Sequence, residues 1–152
     1  MASQEEIRNI RLEKLKALAK AGVNPYPIST RQDFVLADVV ARFDELVKIH
    51  GDEASGGKGQ VISLVGRVMS LRPQGGLTFL NFNDGSVKFQ ALLKKESMKA
   101  EAFELFEQTV DIGDFVEVHG TLFTTKRGEK TLAVSDWRML AKSLRALPEK
   151  WH

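Results

Sequence analysis

The sequence contains no cysteine over its 152 residues. Disulfide bonds, thiolate nucleophiles and zinc sites built on cysteine are therefore excluded. It also lacks any apolar run approaching the roughly 18 residues that a membrane helix requires. Charged residues from Glu5 onward interrupt the N-terminal region, which therefore has no apolar core of a signal peptide. These absences lead us to expect a cytoplasmic protein without a membrane partner.

The chain also lacks a strong excess of either charge. Its 22 lysine and arginine residues face 20 acidic residues, which gives a net charge of only +2. Several of the acids lie close together, at Glu96, Glu101, Glu104 and Glu107. The rest of residues 60–145 is therefore more basic than the total indicates, which permits nucleic-acid binding without requiring it.

The N-terminal residues predict an amphipathic helix. Ser3 and Glu6 form the pattern of a capping box, in which a serine N-cap is followed three residues later by glutamate. Gly22 is a suitable C-cap, and Pro25 prevents the helix from continuing through an extended connector at 24–27. The apolar positions share one side of the helix: Ile7, Leu12, Leu15, Leu18 and Ala19.

Arg8 and Arg11 lie near the apolar side of this predicted helix. Two interpretations are open for them. Their aliphatic stems can cover a partner surface while the charged groups reach solvent, or their guanidinium groups can contact phosphates of RNA. We therefore keep Arg8 and Arg11 as candidate contacts to an RNA backbone.

Apolar residues at helical spacing predict a second helix: Leu36, Val39, Val40, Phe43, Leu46 and Val47. The glycine-rich stretch at 51–59 then indicates a flexible, solvated loop. It does not match a phosphate-binding loop, because Lys58 precedes glycine instead of serine or threonine and a helix precedes it instead of a strand. We interpret residues 1–59 as a helical extension that ends in a flexible loop.

From residue 60 the pattern becomes typical of strands. Strands are predicted at 61–72, 77–82, 87–93, 115–125 and about 130–137, with a helix at 95–108. Gly66, inside the first strand, indicates a bulge or a bend. Strands before and after a single helix in this order are typical of the OB fold. We therefore predict a mainly β protein with a five-stranded OB-fold Greek-key barrel (βββαββ) at 60–145 and an N-terminal helical extension.

The predicted barrel places three polar and aromatic residues where OB folds bind oligonucleotides, on strands two and three and the flanking loops. Phe79 and Gln90 lie on those strands, and Arg72 ends the first strand. An aromatic ring can stack on a base, an amide can pair with its edge, and arginine can donate to base or phosphate oxygens. Phe79 can equally be a core ring, because the pattern does not determine which face of the barrel it occupies. The pattern also does not distinguish DNA from RNA as the ligand.

The sequence shows no catalytic or metal-binding set. Its histidines, His50, His119 and His152, do not have the spacing of metal ligands. Catalysis requires groups that converge on one site, and the sequence offers no such set. We therefore assign no catalytic residue, no metal ligand and no cofactor to this chain.

Several motifs resemble the class II lysyl-tRNA synthetases. They are Arg-Leu-Glu-Lys-Leu at 11–15, Gly-Val-Asn-Pro-Tyr-Pro at 22–27, Val-Gly-Arg-Val-Met at 65–69, Asp-Ile-Gly-Asp at 111–114, Gly-Thr-Leu-Phe at 120–123, and 144–152, which closes on Leu-Pro-Glu-Lys-Trp-His. The resemblance covers essentially the whole chain, through the order and spacing of the motifs. The aspartyl and asparaginyl enzymes share the barrel, but the first helix and the closing motif favour the lysyl family.

The resemblance implies roles for residues of the barrel. In the family an arginine, a phenylalanine and a glutamine are spaced by seven and eleven residues, as are Arg72, Phe79 and Gln90. By this resemblance Phe79 stacks on the central anticodon uridine, while Gln90 and Arg72 read the edge of that base. Glu129 follows Gly128 as does the family's glutamate that contacts an anticodon base. A solvated turn residue is the alternative for Glu129.

The resemblance also implies what lies outside this chain. Residues 146–152 are expected to begin a linker to an absent catalytic domain, which binds ATP, lysine and Mg²⁺. The expected partner is tRNA, through its lysine anticodon stem-loop. The full-length enzyme is expected to be a homodimer, and this part alone to be inactive. Three alternatives stay open: a free-standing OB module that binds single-stranded nucleic acid without base specificity, the anticodon domain of an aspartyl- or asparaginyl-type synthetase, and an interaction module that forms a subunit contact.

Overall fold

The computed structural model describes residues 3–22 and 30–144. The predicted connector at 24–27 and the predicted linker at 146–152 lie outside the described residues. The helices are α1 (Gln4–Lys20), α2 (Leu36–Ala41), α3 (Phe43–His50) and α4 (Ala100–Thr109). The strands are β1 (Ile62–Gln74), β2 (Leu77–Asn83), β3 (Lys88–Lys94), β4 (Phe115–Thr124) and β5 (Lys130–Ala141). Single turns of 3-10 helix occur at Glu53–Ser55 and Lys95–Ser97.

The strands close into a barrel in the order β1-β2-β3-β5-β4. β3 and β5 are parallel, whereas the other neighbouring strands are antiparallel. Because α4 lies between β3 and β4 along the chain, the predicted OB-fold order is confirmed. β5 continues past the predicted end at Trp137, since the residues up to Ala141 still pair with β4.

Gly66 lies where β1 changes its pairing partner. Arg67 pairs with both β4 and β2, so the strand passes from one neighbour to the other beside the glycine. A Cβ atom at Gly66 would lie 2.7 Å from Cδ2 of Phe82. The irregularity in the β1–β2 register falls farther on, between Val68 and Ser70. The predicted bulge is therefore displaced along β1, and Gly66 is required by the close approach of β2.

Alternate residues of β2 point to opposite faces of the barrel, as the strand period of two requires. Leu80 and Phe82 are fully buried in the core. Phe82 meets Phe89 of β3 edge to face, with ring centroids 6.3 Å apart. Phe79 lies on the outer face and is partly exposed. The core alternative for Phe79 is thereby excluded.

The predicted second helix is wrong as a single helix. Arg42, with φ −112° and ψ 22°, divides it into α2 and α3. Phe43 and Leu46 remain buried beyond the break. The apolar period therefore continues through Arg42 and gives no sign of the interruption. The backbone N–H of Leu36 donates to Asp84 Oδ2 at 2.8 Å, which attaches the start of α2 to the β2–β3 turn.

The loop at 51–59 is mostly exposed, as predicted for a solvated loop, and it is hydrogen-bonded to neighbouring elements; its flexibility stays a prediction. Its backbone makes hydrogen bonds at both ends: Gly51 N donates to Val47 O at 2.9 Å, Asp52 N to Leu122 O at 3.1 Å, and Gly59 N to Gly51 O at 2.8 Å. The Asp52 side chain accepts from Ser55 N at 2.8 Å. These bonds attach the exposed loop to β4 and α3.

The helix predicted at 95–108 begins later than expected. Its first turn is the separate 3-10 turn Lys95–Ser97, and the continuous helix α4 starts at Ala100. Phe103 and Phe106 of α4 are buried, as the apolar pattern predicts. The ring of Phe106 meets Trp137 of β5 edge to face with centroids 5.1 Å apart, which packs α4 against the barrel.

Candidate nucleic-acid interface

The outer face of the barrel carries two rows of side chains that cross four strands. Their members are fixed by the strand registers. The first row is Ser70, Asn81, Gln90 and Thr131, and the second is Arg72, Phe79, Leu92 and Ala133. Because side chains alternate along each strand, the members of both rows share one face. The fold therefore brings together residues that are far apart in sequence.

Arg72 and Phe79 form a pair at the β1–β2 end of the second row. They are direct register partners, and the guanidinium carbon of Arg72 lies 5.5 Å from the centroid of the Phe79 ring. Arg72 is exposed, and Phe79 is partly exposed on the outer face. The contact is within the range of a cation–π interaction, which holds the arginine beside the ring. A base stacked on Phe79 would thus meet a positive donor at its side.

Gln90 lies in the neighbouring row, with its side chain held by β5. Its Nε2 donates to Thr131 Oγ1 at 3.0 Å. Gln90 is 7% exposed, so the amide is packed at the base of the face and does not extend into solvent. A fixed amide of this kind can read the Watson–Crick edge of an unpaired base.

A cleft of about 610 Å³, here called the outer cleft, opens over these rows. Its lining includes three of the four predicted base-contacting residues, Arg72, Gln90 and Glu129. The other lining residues are Val40, Ser70, Asn81, Lys88, Phe89, Gly128 and Lys130. Phe79 is absent from the lining but lies directly beside Arg72. The structure therefore brings all four predicted residues to one region of the outer face.

Glu129 is exposed in the tight turn between β4 and β5. Gly128 adopts φ 83°, a conformation that favours glycine, and directs the chain back into β5. Thr125 Oγ1 accepts from Glu129 N at 3.1 Å and lies 3.2 Å from Glu129 Oε1, to which it donates. The carboxylate is thus positioned at the rim of the outer cleft, where it can accept a hydrogen bond from a base.

Asn81 and Ser70 line the outer cleft but were not selected from the sequence. Asn81 pairs directly with Gln90 across β2 and β3, and its Nδ2 donates to Ser70 Oγ at 3.0 Å. The side-chain alternation that places Phe79 outside also places Asn81 outside. That alternation is the sequence signal that would have identified Asn81 once the face of Phe79 was known.

Lys130 connects the helical extension to the outer cleft. Its Nζ donates to the carbonyl of Val40 in α2 at 3.2 Å and lies 5.5 Å from the ring centroid of Phe43. Val40 itself lines the cleft. The helical segment therefore forms one wall of the outer cleft, a role that sequence reasoning did not give it.

Arg8 and Arg11 have different surroundings on α1. Arg8 is exposed, so its contact with an RNA backbone stays a prediction. Arg11 is 8% exposed, and its guanidinium donates to the carbonyls of Ser143 at 3.1 Å and Ile112 at 3.3 Å. The burial of Arg11 favours the packing interpretation over the RNA contact.

A buried charge network reinforces this attachment of α1. Lys142 Nζ lies 2.6 Å from Asp114 and 2.7 Å from Asp111, and Lys14 Nζ lies 2.6 Å from Asp111. Burial raises the pKa of Asp114 above its ordinary value, against the opposing effect of Lys142. Burial also acts to raise the pKa of Asp111, but hydrogen bonds and charges from Lys14 and Lys142 leave it lowered. The Asp-Ile-Gly-Asp motif is therefore a structural anchor for α1.

A second polar cluster surrounds Glu117 on β4. Its carboxylate accepts from Thr30 Oγ1 at 2.6 Å, Arg31 N at 2.7 Å and Arg138 at 3.1 Å, and pairs with His119. Burial acts to raise the pKa of Glu117, but these partners outweigh it and lower the pKa to about 2. The cluster attaches the segment around residue 30 to the barrel wall.

Within residues 3–22 and 30–144, no group of three or more histidine, aspartate or glutamate residues is arranged to hold a metal ion. No helix in this described part of the chain is long and apolar enough to cross a membrane.

Comparison with known proteins identifies the family. A family model described as an OB-fold nucleic acid binding domain, the tRNA anti-codon family, matches residues 62–140. The lysine–tRNA ligase of Thermotoga maritima is 36% identical over 148 residues, which cover 97% of this chain and 28% of the relative. The lysine–tRNA ligase of Synechococcus sp. (strain CC9311) is 40% identical over 97% of this chain and 29% of its own length. Lysine–tRNA ligase 2 of Methanosarcina mazei is 35% identical over 93% of this chain and 26% of its own length.

The chain thus spans little more than a quarter of the length of these relatives. The resemblance to lysyl-tRNA synthetases over nearly the whole chain is confirmed. The barrel found in the structure, β1 to β5, coincides with the matched residues 62–140. The chain therefore belongs to the tRNA anti-codon family of OB-fold nucleic acid binding domains.

Proposed function

We propose that this chain recognises the anticodon loop of a lysine tRNA as part of a lysine–tRNA ligase. The observation that carries the proposal is the placement of Arg72, Phe79 and Gln90 on adjoining positions of the outer face, beside the outer cleft. OB folds bind oligonucleotides on this face. The similarity to lysine–tRNA ligases supports the choice of tRNA as the ligand.

The proposed recognition combines stacking with reading of the base edge. An unpaired base stacks on the outward ring of Phe79, an interaction that contributes about 1–3 kcal/mol per base in comparable sites. Arg72 donates to a base carbonyl, and the Gln90 amide meets the neighbouring group on the same edge. A wrong base leaves a polar group without a partner, at a cost of about 1–3 kcal/mol. The site can thereby distinguish a central uridine from cytidine.

Glu129 and Arg8 complete the proposed interface. Glu129, at the rim of the outer cleft, accepts a hydrogen bond from a second anticodon base. Arg8, exposed on α1, contacts the RNA backbone. The role of Glu129 follows from the family resemblance, and that of Arg8 from the exposure of its side chain. Neither residue stacks on a base.

The remaining parts of the proposal concern the whole enzyme. We propose that lysine, ATP and Mg²⁺ bind in a catalytic part of the protein beyond this chain, which by itself has no ligase activity. We also propose a homodimeric enzyme in the cytoplasm. The support for these statements is the similarity to lysine–tRNA ligases, of which the chain spans 26–29%.

The test is the binding of the chain to labelled RNA hairpins. A hairpin with a UUU loop should bind more tightly than the same hairpin with the central U changed to C. Hairpins with GUC or GUU anticodons keep the central U and differ from UUU only at the other anticodon bases. Comparing their binding with that of the UUU hairpin therefore tests the aspartyl and asparaginyl alternatives. Equal binding of all hairpins would favour an OB module without base specificity, and it should then weaken steeply with salt. Absence of binding would favour an interaction module.

A further inference from the structure

Thr131 restricts the Gln90 amide to one orientation. Gln90 Nε2 donates to Thr131 Oγ1, and Thr131 Oγ1 donates in turn to the backbone carbonyl of Glu129 at 3.1 Å. A threonine hydroxyl has a single proton. Because that proton is given to Glu129, the Thr131 oxygen can only accept from Gln90. With the amide nitrogen on Thr131, both hydrogen bonds are made at once.

The burial of the pair makes the opposite orientation unfavourable. Thr131 is 0% exposed and Gln90 is 7% exposed, so solvent has little access to replace a lost hydrogen bond. If the amide turned over, the Thr131 hydroxyl could bond its oxygen only by giving up the Glu129 carbonyl, so one hydrogen bond would be lost. The hydrogen-bonded chain from Gln90 through Thr131 to Glu129 thus selects one of two amide states that otherwise have almost the same shape.

The selected orientation determines which base can form a hydrogen bond with the amide. With Nε2 turned to Thr131, Oε1 is turned away from that hydroxyl, and Gln90 lines the outer cleft, where this oxygen can accept a hydrogen bond. Uracil carries a proton on its ring nitrogen N3 and can donate it to that oxygen. Cytosine has a lone pair at N3, which would face the same oxygen without a proton. An amide free to turn over could serve either base.

We propose that Thr131 is a positioning residue that makes the outer cleft select uracil over cytosine. It acts through Gln90 and does not touch the RNA. This inference rests on the proposed function, because it requires a base at the Gln90 amide.

The test uses the full chain with Thr131→Val and Thr131→Ser. Valine nearly preserves the shape of threonine but has no hydroxyl, whereas serine retains it. Binding is measured for two RNA hairpins that differ only in a central U or C. The preference for U should fall about tenfold with valine, and serine should restore it. Part of the fall should come from tighter binding of the C hairpin, which a merely structural defect would not produce.

Two results separate this inference from the proposed function. A folded Thr131→Val variant that keeps the full preference for U would overturn the role of Thr131 and leave base reading intact. Equal binding of both hairpins by the unaltered chain would overturn both.

Exchange of the Gln90 side-chain amide protons, followed by NMR without RNA, gives a second measurement. It remains decisive if the valine variant does not fold. The hydrogen-bonded Nε2 proton should exchange slowly in the unaltered chain and in Thr131→Ser. Rapid exchange in both proteins would overturn the inference.

Discussion

At the scale of single residues, the outer face depends on which aromatic rings the barrel leaves outside. Phe82 and Phe89 fill the core, whereas Phe79 lies outside beside Arg72. A core ring contributes to stability, but only an outward ring can stack on a base. Strand alternation therefore places the two phenylalanines of β2, Phe79 and Phe82, on opposite faces of the barrel.

Phe79→Ala should weaken binding of the UUU hairpin by about 1–3 kcal/mol while the protein stays folded. Phe115→Ala is a matched control, because Phe115 is also an exposed ring with an arginine, Arg67, 4.8 Å from its centroid. Phe115 belongs to neither row of the outer face, since its register partners are Arg67 and Ala141. Fluorescence anisotropy measures binding, and circular dichroism confirms the fold. Equal losses in both variants would contradict stacking on Phe79.

Asn81→Ala should weaken binding of the UUU hairpin by about 0.5–1.5 kcal/mol, the net contribution of one hydrogen bond. The reason is that Asn81 is the register partner of Gln90 and lines the outer cleft. Gln108→Ala removes an exposed amide from the end of α4 and should leave binding unchanged. Isothermal titration calorimetry of both variants checks the difference. Unchanged affinity in Asn81→Ala would remove this residue from the interface.

At the scale of elements, two attachments hold the helical parts on the barrel. Arg11 and Lys14 join α1 to Ser143, just after β5, and to the loop before β4, and Lys142 binds that same loop. Lys130 joins α2 to the start of β5. These contacts link segments far apart in sequence, so no local pattern could predict them. A buried arginine on an amphipathic helix looks the same in sequence as one that reaches solvent or RNA.

Lys142→Met should lower the free energy of unfolding by about 3 kcal/mol, because it leaves Asp111 and Asp114 without their shared buried cation. Lys16→Met is the control, since Lys16 and Glu13 form a largely exposed pair. That change should alter the free energy by no more than about 0.5 kcal/mol. Urea denaturation measures both. Similar small effects in the two variants would show that the network does not stabilise the attachment of α1.

Glu117 should make the stability of the barrel sensitive to acid. Its pKa is about 2 in the folded chain against an ordinary value of 4.5. Because the folded value is the lower one, the ionised carboxylate stabilises the fold above pH 4.5 and this stabilisation is lost as pH falls towards 2. Glu117→Gln should flatten that part of the pH profile of urea unfolding. A variant with the same acid dependence as the unaltered chain would contradict the assignment.

At the scale of the whole molecule, the barrel could be predicted from sequence because period-two strands, turn residues and strand order all indicate it. The break at Arg42 and the hydrogen bonds that hold the turn at 51–59 could not. The apolar period runs through the break, and the turn is held by backbone hydrogen bonds to α3 and β4 that composition does not encode. Arg72, Phe79 and Gln90 could be selected from residue type and the predicted strands, and Glu129 through the family resemblance, whereas Asn81 and Thr131 became apparent only through register.

The most direct test of the central claim is an NMR titration of the isotopically labelled chain with the UUU hairpin. The account predicts shifts at the side chains of Arg72, Phe79 and Gln90 and in the β4–β5 turn at Glu129, which surround or adjoin the outer cleft. Residues of α4 should change little. Shifts concentrated on α4, with the outer face unchanged, would contradict the account and place the RNA on another surface.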